Sequence, residues 1–191
     1  MTKRNIDSDL SLAILGLLSI QPLSGYGLRK IFLKTAMGYF SASPGAIYPA
    51  LRKLEEAGLV KGTVENADTL RPRMAYALTP AGLAALKSAL SRPVTHEDVI
   101  RRMDTLILRF CFMDGLLPKD EILDFLRSFW AGIDATLEVL QAEARRDAPR
   151  LSFCARAALE QGQESLRMNA RWAIKTYSRL KEKHAGKRGT K

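Results

Sequence analysis

Ile47, Leu51 and Leu54 recur at spacings of four and three, while Pro49, Arg52, Lys53 and Glu56 fall on the opposite side. That period predicts an amphipathic helix over about residues 43–58. Its ends are marked. Ser43 can accept from the first free backbone N–H groups, Pro44 suits the first helical position, and Gly58 can adopt the left-handed conformation that ends a helix. Pro49 lies inside, where proline removes a hydrogen bond and crowds the preceding turn; a bent or loosened first turn at Ser43–Tyr48 is expected.

Two helical patterns come first. One runs from about Asp9 to Ile20, with Leu10, Ile14, Leu17 and Leu18 inward, and Pro22 stops it. The next covers about residues 25–37, capped by Ser24, with Tyr26, Ile31 and Phe32 available to a core and Arg29, Lys30 and Lys34 outward. After Gly58 the period changes to two. Residues 59–64 and 74–78 read as strands of a hairpin, with Arg71 and Arg73 flanking its tip. Thr79-Pro80 then opens a helix to about Leu90.

The remainder is helical. Thr95 with Asp98 three residues on starts a helix that Gly115 ends, with Met103, Phe110 and Met113 on its apolar face. From Pro118, Ile122, Leu126, Phe129, Ile133 and Leu137 form a long apolar seam that Pro149 breaks. A last helix over about residues 150–183 places Ala155, Ala158, Gly162, Leu166, Ala173 and Tyr177 on one side. These seams need more apolar surface than one chain obviously supplies, so a homodimer through this region is expected, the alternative being an intramolecular bundle packed on the preceding helices and hairpin.

The order helix, helix, helix, hairpin, helix is that of a winged helix-turn-helix, in which the third helix enters the major groove of DNA and the hairpin reaches the flanking backbone or minor groove. The fold class expected is mainly α with a small β-hairpin wing. Its parts are a winged helix-turn-helix DNA-binding domain over 1–92, a long-helix dimerisation region over 93–185, and a disordered basic tail over 186–191.

The same stretch resembles the PadR-type transcriptional regulators. The matching segments include Pro22-Leu23-Ser24-Gly25-Tyr26, Ser43-Pro44-Gly45-Ala46-Ile47-Tyr48-Pro49-Ala50-Leu51, Leu54-Glu55-Glu56-Ala57-Gly58-Leu59 and Tyr76-Ala77-Leu78-Thr79-Pro80-Ala81-Gly82. The family often has a glycine before the Arg-Pro-Arg-like wing segment, where this chain has Leu70, and a basic or aromatic run after it, where this chain has Met74-Ala75. The resemblance implies a dimeric repressor, with some relatives released by phenolic or other small aromatic compounds.

Composition fits a polyanionic partner. Thirty Lys and Arg face 20 Asp and Glu, for a net charge of +10, and a hydrophobic content of 47% supports a real core. Cys111 and Cys154 read as reduced core residues without metal spacing, and the apolar run Leu10–Ile20 is too short to span a bilayer. With no export signal read from the sequence, a cytoplasmic protein is expected. No metal cluster, phosphate-binding glycine loop, nucleophile elbow or carboxylate pair emerges, so neither an enzyme nor a cofactor is expected.

The expected DNA contacts are Ser43, Ala46, Tyr48, Arg52 and Lys53 on the third helix and Arg71 and Arg73 on the wing. Arg29, Lys30 and Lys34 are further phosphate candidates. Trp130, Trp172 and Phe110 are the aromatic side chains suited to stacking on a small planar effector. The resulting expectation is a homodimeric, sequence-specific DNA-binding regulator acting on a pseudo-palindromic operator. The competing class is a winged-helix module that binds protein without specific DNA recognition.

Overall fold

The computed structural model describes residues 6, 8–35, 43–65, 73–147 and 150–188. The chain divides into two compact units, Met1–Arg92 with Leu108–Leu116, and Pro93–Ile107 with Leu117–Lys191.

In the first unit, α1 (Asp9–Leu18) is capped by Ser8, whose hydroxyl accepts from the Ser11 N–H at 3.1 Å. Every residue from Leu12 to Leu18 is buried. A helix apolar on all sides must sit in the middle of its unit, and α1 meets α3 (Pro44–Glu56), α4 (Pro80–Leu90) and a strand, β3 (Arg73–Leu78). Gly16 leaves the space that the Phe112 ring fills: a β-carbon there would fall 2.3 Å from the ring. Residues 108–116, read from sequence as part of the helical region, thus pack within this first unit.

The second helix, α2 (Gly25–Lys34), ends three residues before the expected position. Ser24 caps it, accepting from the Gly27 N–H at 3.1 Å. Leu28 and Phe32 form its buried stripe, whereas Tyr26, expected in the core, is 65% exposed. Tyr26 lies two residues before Leu28, about 200° around a helix of 3.6 residues per turn, so the stripe that buries Leu28 turns Tyr26 outward. Gly38, the expected stop, lies outside the described residues.

Three strands form one antiparallel sheet in the order β1-β3-β2, where β1 is Leu23–Ser24 and β2 is Val60–Glu65. Gly62 pairs with Tyr76 on one side of β3, and Leu23 pairs with Tyr76 on the other. β1 is absent from the sequence reading because two residues show no alternation. The expected hairpin is present in β2 and β3.

The end of α3 is closed by a glycine. Gly58 has φ 69°, its N–H donates to the Glu55 carbonyl at 2.8 Å, and the Leu59 N–H donates to the Leu54 carbonyl at 2.9 Å. This is a Schellman closure, with Leu54 and Leu59 both buried beside it. Thr79 then fastens the start of α4 to the same place. Its hydroxyl donates to the Gly58 carbonyl at 2.7 Å and accepts from the Gly82 N–H at 3.0 Å.

The expected single helix from Thr95 to Gly115 is two, α5 (His96–Arg101) and α6 (Met103–Cys111). Arg102, at φ −136° and ψ 34°, leaves the helical region and separates them. No glycine or proline marks that break. The capping box between Thr95 and Asp98 is present, and Gly115 has φ 75°.

In the second unit, α7 (Lys119–Asp147) and α8 (Phe153–Arg188) pack along each other, and α5 packs on α7. Ile122, Leu126, Phe129, Ile133 and Leu137 are all buried, as their spacing predicts, and Phe125 joins them. Among the residues of α8 whose burial is described, Ala170 and Ala173 are the buried ones. Ala155, Gly162, Leu166 and Tyr177 are half-buried and Ala158 is exposed. α8 continues to Arg188, so residues 186–188 are helical where a loose tail was expected; 189–191 and Pro149 lie outside the described residues. Cys111 and Cys154 are free and exposed rather than core residues. For Cys154 the reason is its place on α8, where no residue from Phe153 to Asn169 is buried.

Candidate nucleic-acid interface

The candidate reading element is α3. Ile47, Leu51 and Leu54 are buried and fix its inner face against α1 and α2. Gly45, Tyr48, Pro49, Arg52 and Lys53 are consequently turned outward and exposed, with Ala46 half-buried at their edge. Ser43 occupies the N-cap with extended backbone but makes no side-chain cap hydrogen bond, contrary to the sequence expectation. Its carbonyl instead accepts from both the Ala46 N–H at 3.0 Å and the Ile47 N–H at 3.1 Å. The helix is continuous through Pro49. Proline has no N–H, so the Gly45 carbonyl lacks its usual helical donor. The space beside Gly45 is open: a β-carbon there would meet nothing within 4 Å.

Tyr48 is held by small and aromatic neighbours. A β-carbon on Gly25 would fall 2.6 Å from the Tyr48 ring, so the absent side chain of Gly25 makes the seat on which the ring lies. Tyr48 stays 46% exposed at its free edge. Tyr76 of β3 stands nearby, and its phenol is pushed above the ordinary tyrosine value by burial, then by the charges of Glu55 and Tyr48, with Arg52 opposing. Glu55 accepts from the Gly62 N–H of β2 at 2.8 Å. Thus Tyr48, Arg52 and Glu55, one helical face at spacings of four and three, look toward the sheet that carries the wing.

The other cations divide. Lys30 and Lys34 are exposed on α2. Arg29 is half-buried, and its Nε is buried with no hydrogen-bond partner among the described residues, so it is less available to a phosphate than its sequence position implies. Arg73 begins β3, and Arg71 lies outside the described residues. A groove of about 360 Å³ runs between the start of α1, at Ile6, Ser8 and Ser11, and the front of α3, at Gly45, Pro49 and Lys53.

Comparisons of the sequence with known proteins assign the chain to a family. The sequence profile of the transcriptional regulator PadR-like family matches residues 14–88. The negative transcriptional regulator PadR of Bacillus subtilis (strain 168) is 30% identical over 132 residues, covering 69% of this chain and 71% of the relative. The chain belongs to the PadR-like family of transcriptional regulators. Similar solved structures include Bacillus subtilis PadR in complex with operator DNA, 26% identical over 90% of this chain and 98% of that one, with a TM-score of 0.41. Another is Bacillus subtilis PadR in complex with p-coumaric acid, 24% identical over 91% and 99%, also with a TM-score of 0.41.

In this PadR-like regulator the aromatic candidates have packing partners. Trp172 meets Phe129 edge-on at 5.8 Å between ring centroids, and Trp130 meets Tyr177 edge-on at 5.1 Å. Both contacts join α8 to α7. Phe110 belongs to the first unit, whereas the two tryptophans belong to the second. Arg127 adds a cation at 5.8 Å from the Tyr177 ring, and its guanidinium donates to the Tyr177 hydroxyl at 3.4 Å, which lowers the phenol below its ordinary value. Among the described residues no group of three or more His, Cys, Asp or Glu could hold a metal ion, and no helix is long and apolar enough to cross a membrane.

Sequence reasoning missed Gly25, Glu55 and Tyr76 as parts of this site. For Gly25 a signal exists: glycine costs about 0.5–1 kcal/mol relative to alanine inside a helix, so its presence in the first turn of α2 asks for a reason. Glu55 reads in the sequence as one more solvated acid.

Proposed function

We propose that this PadR-like regulator is a homodimeric, sequence-specific DNA-binding repressor that works in the cytoplasm by binding rather than by catalysis. The observation that carries the reading is the outward face of α3, where Tyr48, Arg52 and Lys53 are exposed on a helix whose other face is buried. Arg52 and Lys53 supply phosphate contacts, Ser43, Ala46 and Tyr48 at the front read base edges, and Arg71 and Arg73 serve the wing. Lys30, Lys34 and, less directly, Arg29 add charge behind them.

The dimer is formed through the helical region. No residue of α8 from Phe153 to Asn169 is fully buried within its own chain, and Phe153 is 84% exposed, with Leu159 and Met168 also exposed. Apolar side chains set along one helix in this way gain by association, each buried one contributing about 1.5–3 kcal/mol. A twofold dimer presents two recognition helices about 34 Å apart to successive major-groove faces. Small phenolic acids are the effectors to test, since the Bacillus subtilis relative has been solved with p-coumaric acid.

A gel-shift assay on the DNA upstream of the protein's own gene, at about 150 mM salt, tests the function. Preference for that DNA over random duplex supports it. Equal binding to both, or none, favours a protein-interaction module. Light scattering at micromolar concentration tests the dimer, and a monomer overturns the two-half-site arrangement.

A further inference from the structure

We infer that Glu55 is a positioning residue that latches the wing to the recognition helix, an inference that rests on the DNA-binding reading above. β2 is an edge strand, because β3 lies between it and β1. An edge strand carries backbone N–H groups that its neighbour does not use. The Gly62 N–H is given to Glu55 Oε1 at 2.8 Å, across seven residues of sequence, so a carboxylate from α3 holds the wing's outer strand. A hydrogen bond to a carboxylate is about twice as strong as one between neutral groups.

Gly62 is what lets the carboxylate come so near. A β-carbon at Gly62 would fall 2.9 Å from Glu55 Oε1, 3.0 Å from Met74 Sδ and 3.2 Å from Tyr76 Cε1. The Tyr76 ring closes the other side, opposite Gly62 in the strand register. Glu55 also stands on the same helical face as Tyr48 and Arg52. One face of α3 therefore carries candidate DNA contacts at its front and a grip on the wing at its rear. The latch fixes the angle between α3 and the arm formed by β2 and β3.

The test compares wild type with Glu55→Ala, Glu55→Gln and Gly62→Ala in the full-length protein. It uses hydroxyl-radical footprinting on an operator selected from random DNA, together with amide hydrogen exchange at Gly62. Glu55→Ala should keep the central half-site protection, lose the flanking protection and weaken binding roughly tenfold, with the thermal midpoint little changed. Glu55→Gln, whose amide oxygen can accept the same N–H, should recover most of both. Gly62→Ala should copy Glu55→Ala, and the double variant should be no worse than the worse single, because the two changes break one contact. Unchanged flanking protection in Glu55→Ala, or a Glu55→Gln variant as defective as Glu55→Ala, overturns the latch. If wild type selects no operator, the DNA reading has failed and hydrogen exchange alone decides the latch. Faster Gly62 exchange in Glu55→Ala but not in Glu55→Gln supports it, and unchanged exchange overturns it.

Discussion

The ring of Tyr48 rests on Gly25, so close that a β-carbon on Gly25 would fall 2.6 Å from Tyr48 Cε1. The first turn of α2 thereby sets the direction of a side chain on α3. Two effects compete in Gly25→Ala. Helix propensity favours alanine by about 0.5–1 kcal/mol, while overpacking a filled site costs about 1–3 kcal/mol. The clash is the larger, so the variant should be less stable by about 1–2 kcal/mol and should bind operator more weakly. Denaturant unfolding and a binding titration check this. A more stable variant with unchanged affinity would contradict the seat assigned to Gly25.

Arg109 is 1% exposed, and its guanidinium donates to the Leu90 carbonyl at 2.9 Å and to the Arg92 carbonyl. It caps the C-terminal end of α4, where the helix dipole also favours a cation. Arg109→Ala leaves those carbonyls without that donor, at about 1–3 kcal/mol for a buried group, and opens a cavity whose cost has the same sign. The expected loss is about 3 kcal/mol or more, read as a lower urea midpoint. An unchanged midpoint would remove Arg109 from the account of stability.

Tyr76 gives a pH dependence. Burial, with Glu55 and Tyr48 adding to it, raises its phenol above the ordinary value. Below pH of about 10 both folded and unfolded forms keep the proton. Above it the unfolded chain ionises first, so stability falls as pH rises toward the folded value. Tyr76→Phe should flatten that decline in urea unfolding between neutral and strongly alkaline pH. An equally steep decline in the variant would show that other groups cause it.

Arg52 is exposed on α3, and the two contacts open to it give different results. Meeting phosphate, Arg52→Ala weakens binding to all sequences alike and reduces the salt slope by about one. Meeting a base, it relaxes one operator position at a cost of about 1–3 kcal/mol. Salt-dependent titrations on matched and mismatched operators separate these. Unchanged affinity and slope would take Arg52 out of the interface.

The parts of the fold that were legible were those carried by local chemistry. The stripe Ile47, Leu51 and Leu54, the glycine stop at Gly58, the caps at Ser24, Thr79 and Thr95, and the seam from Ile122 to Leu137 all depend on spacing within one element. The illegible parts depend on contacts distant in sequence. Gly82 is an example: a β-carbon there would fall 1.9 Å from the Leu59 carbonyl oxygen, a constraint set by a residue 23 positions away. The seat at Gly25, the Glu55–Gly62 contact and the packing of Phe112 on Gly16 are of the same kind. The break at Arg102 lacks any local marker, and the spacing of apolar residues alone cannot place it. Ser43 shows the reverse case, a good capping residue whose side chain makes no cap bond.

The central claim is specific DNA recognition by a twofold dimer reading through α3. Selection of bound duplexes from a random pool tests it most directly. One enriched inverted repeat, with half-sites about one helical turn apart and lost in a Tyr48→Ala, Arg52→Ala, Lys53→Ala triple variant that still folds, is the result predicted. A pool with no enriched motif, or the same motif selected by the triple variant, would contradict it.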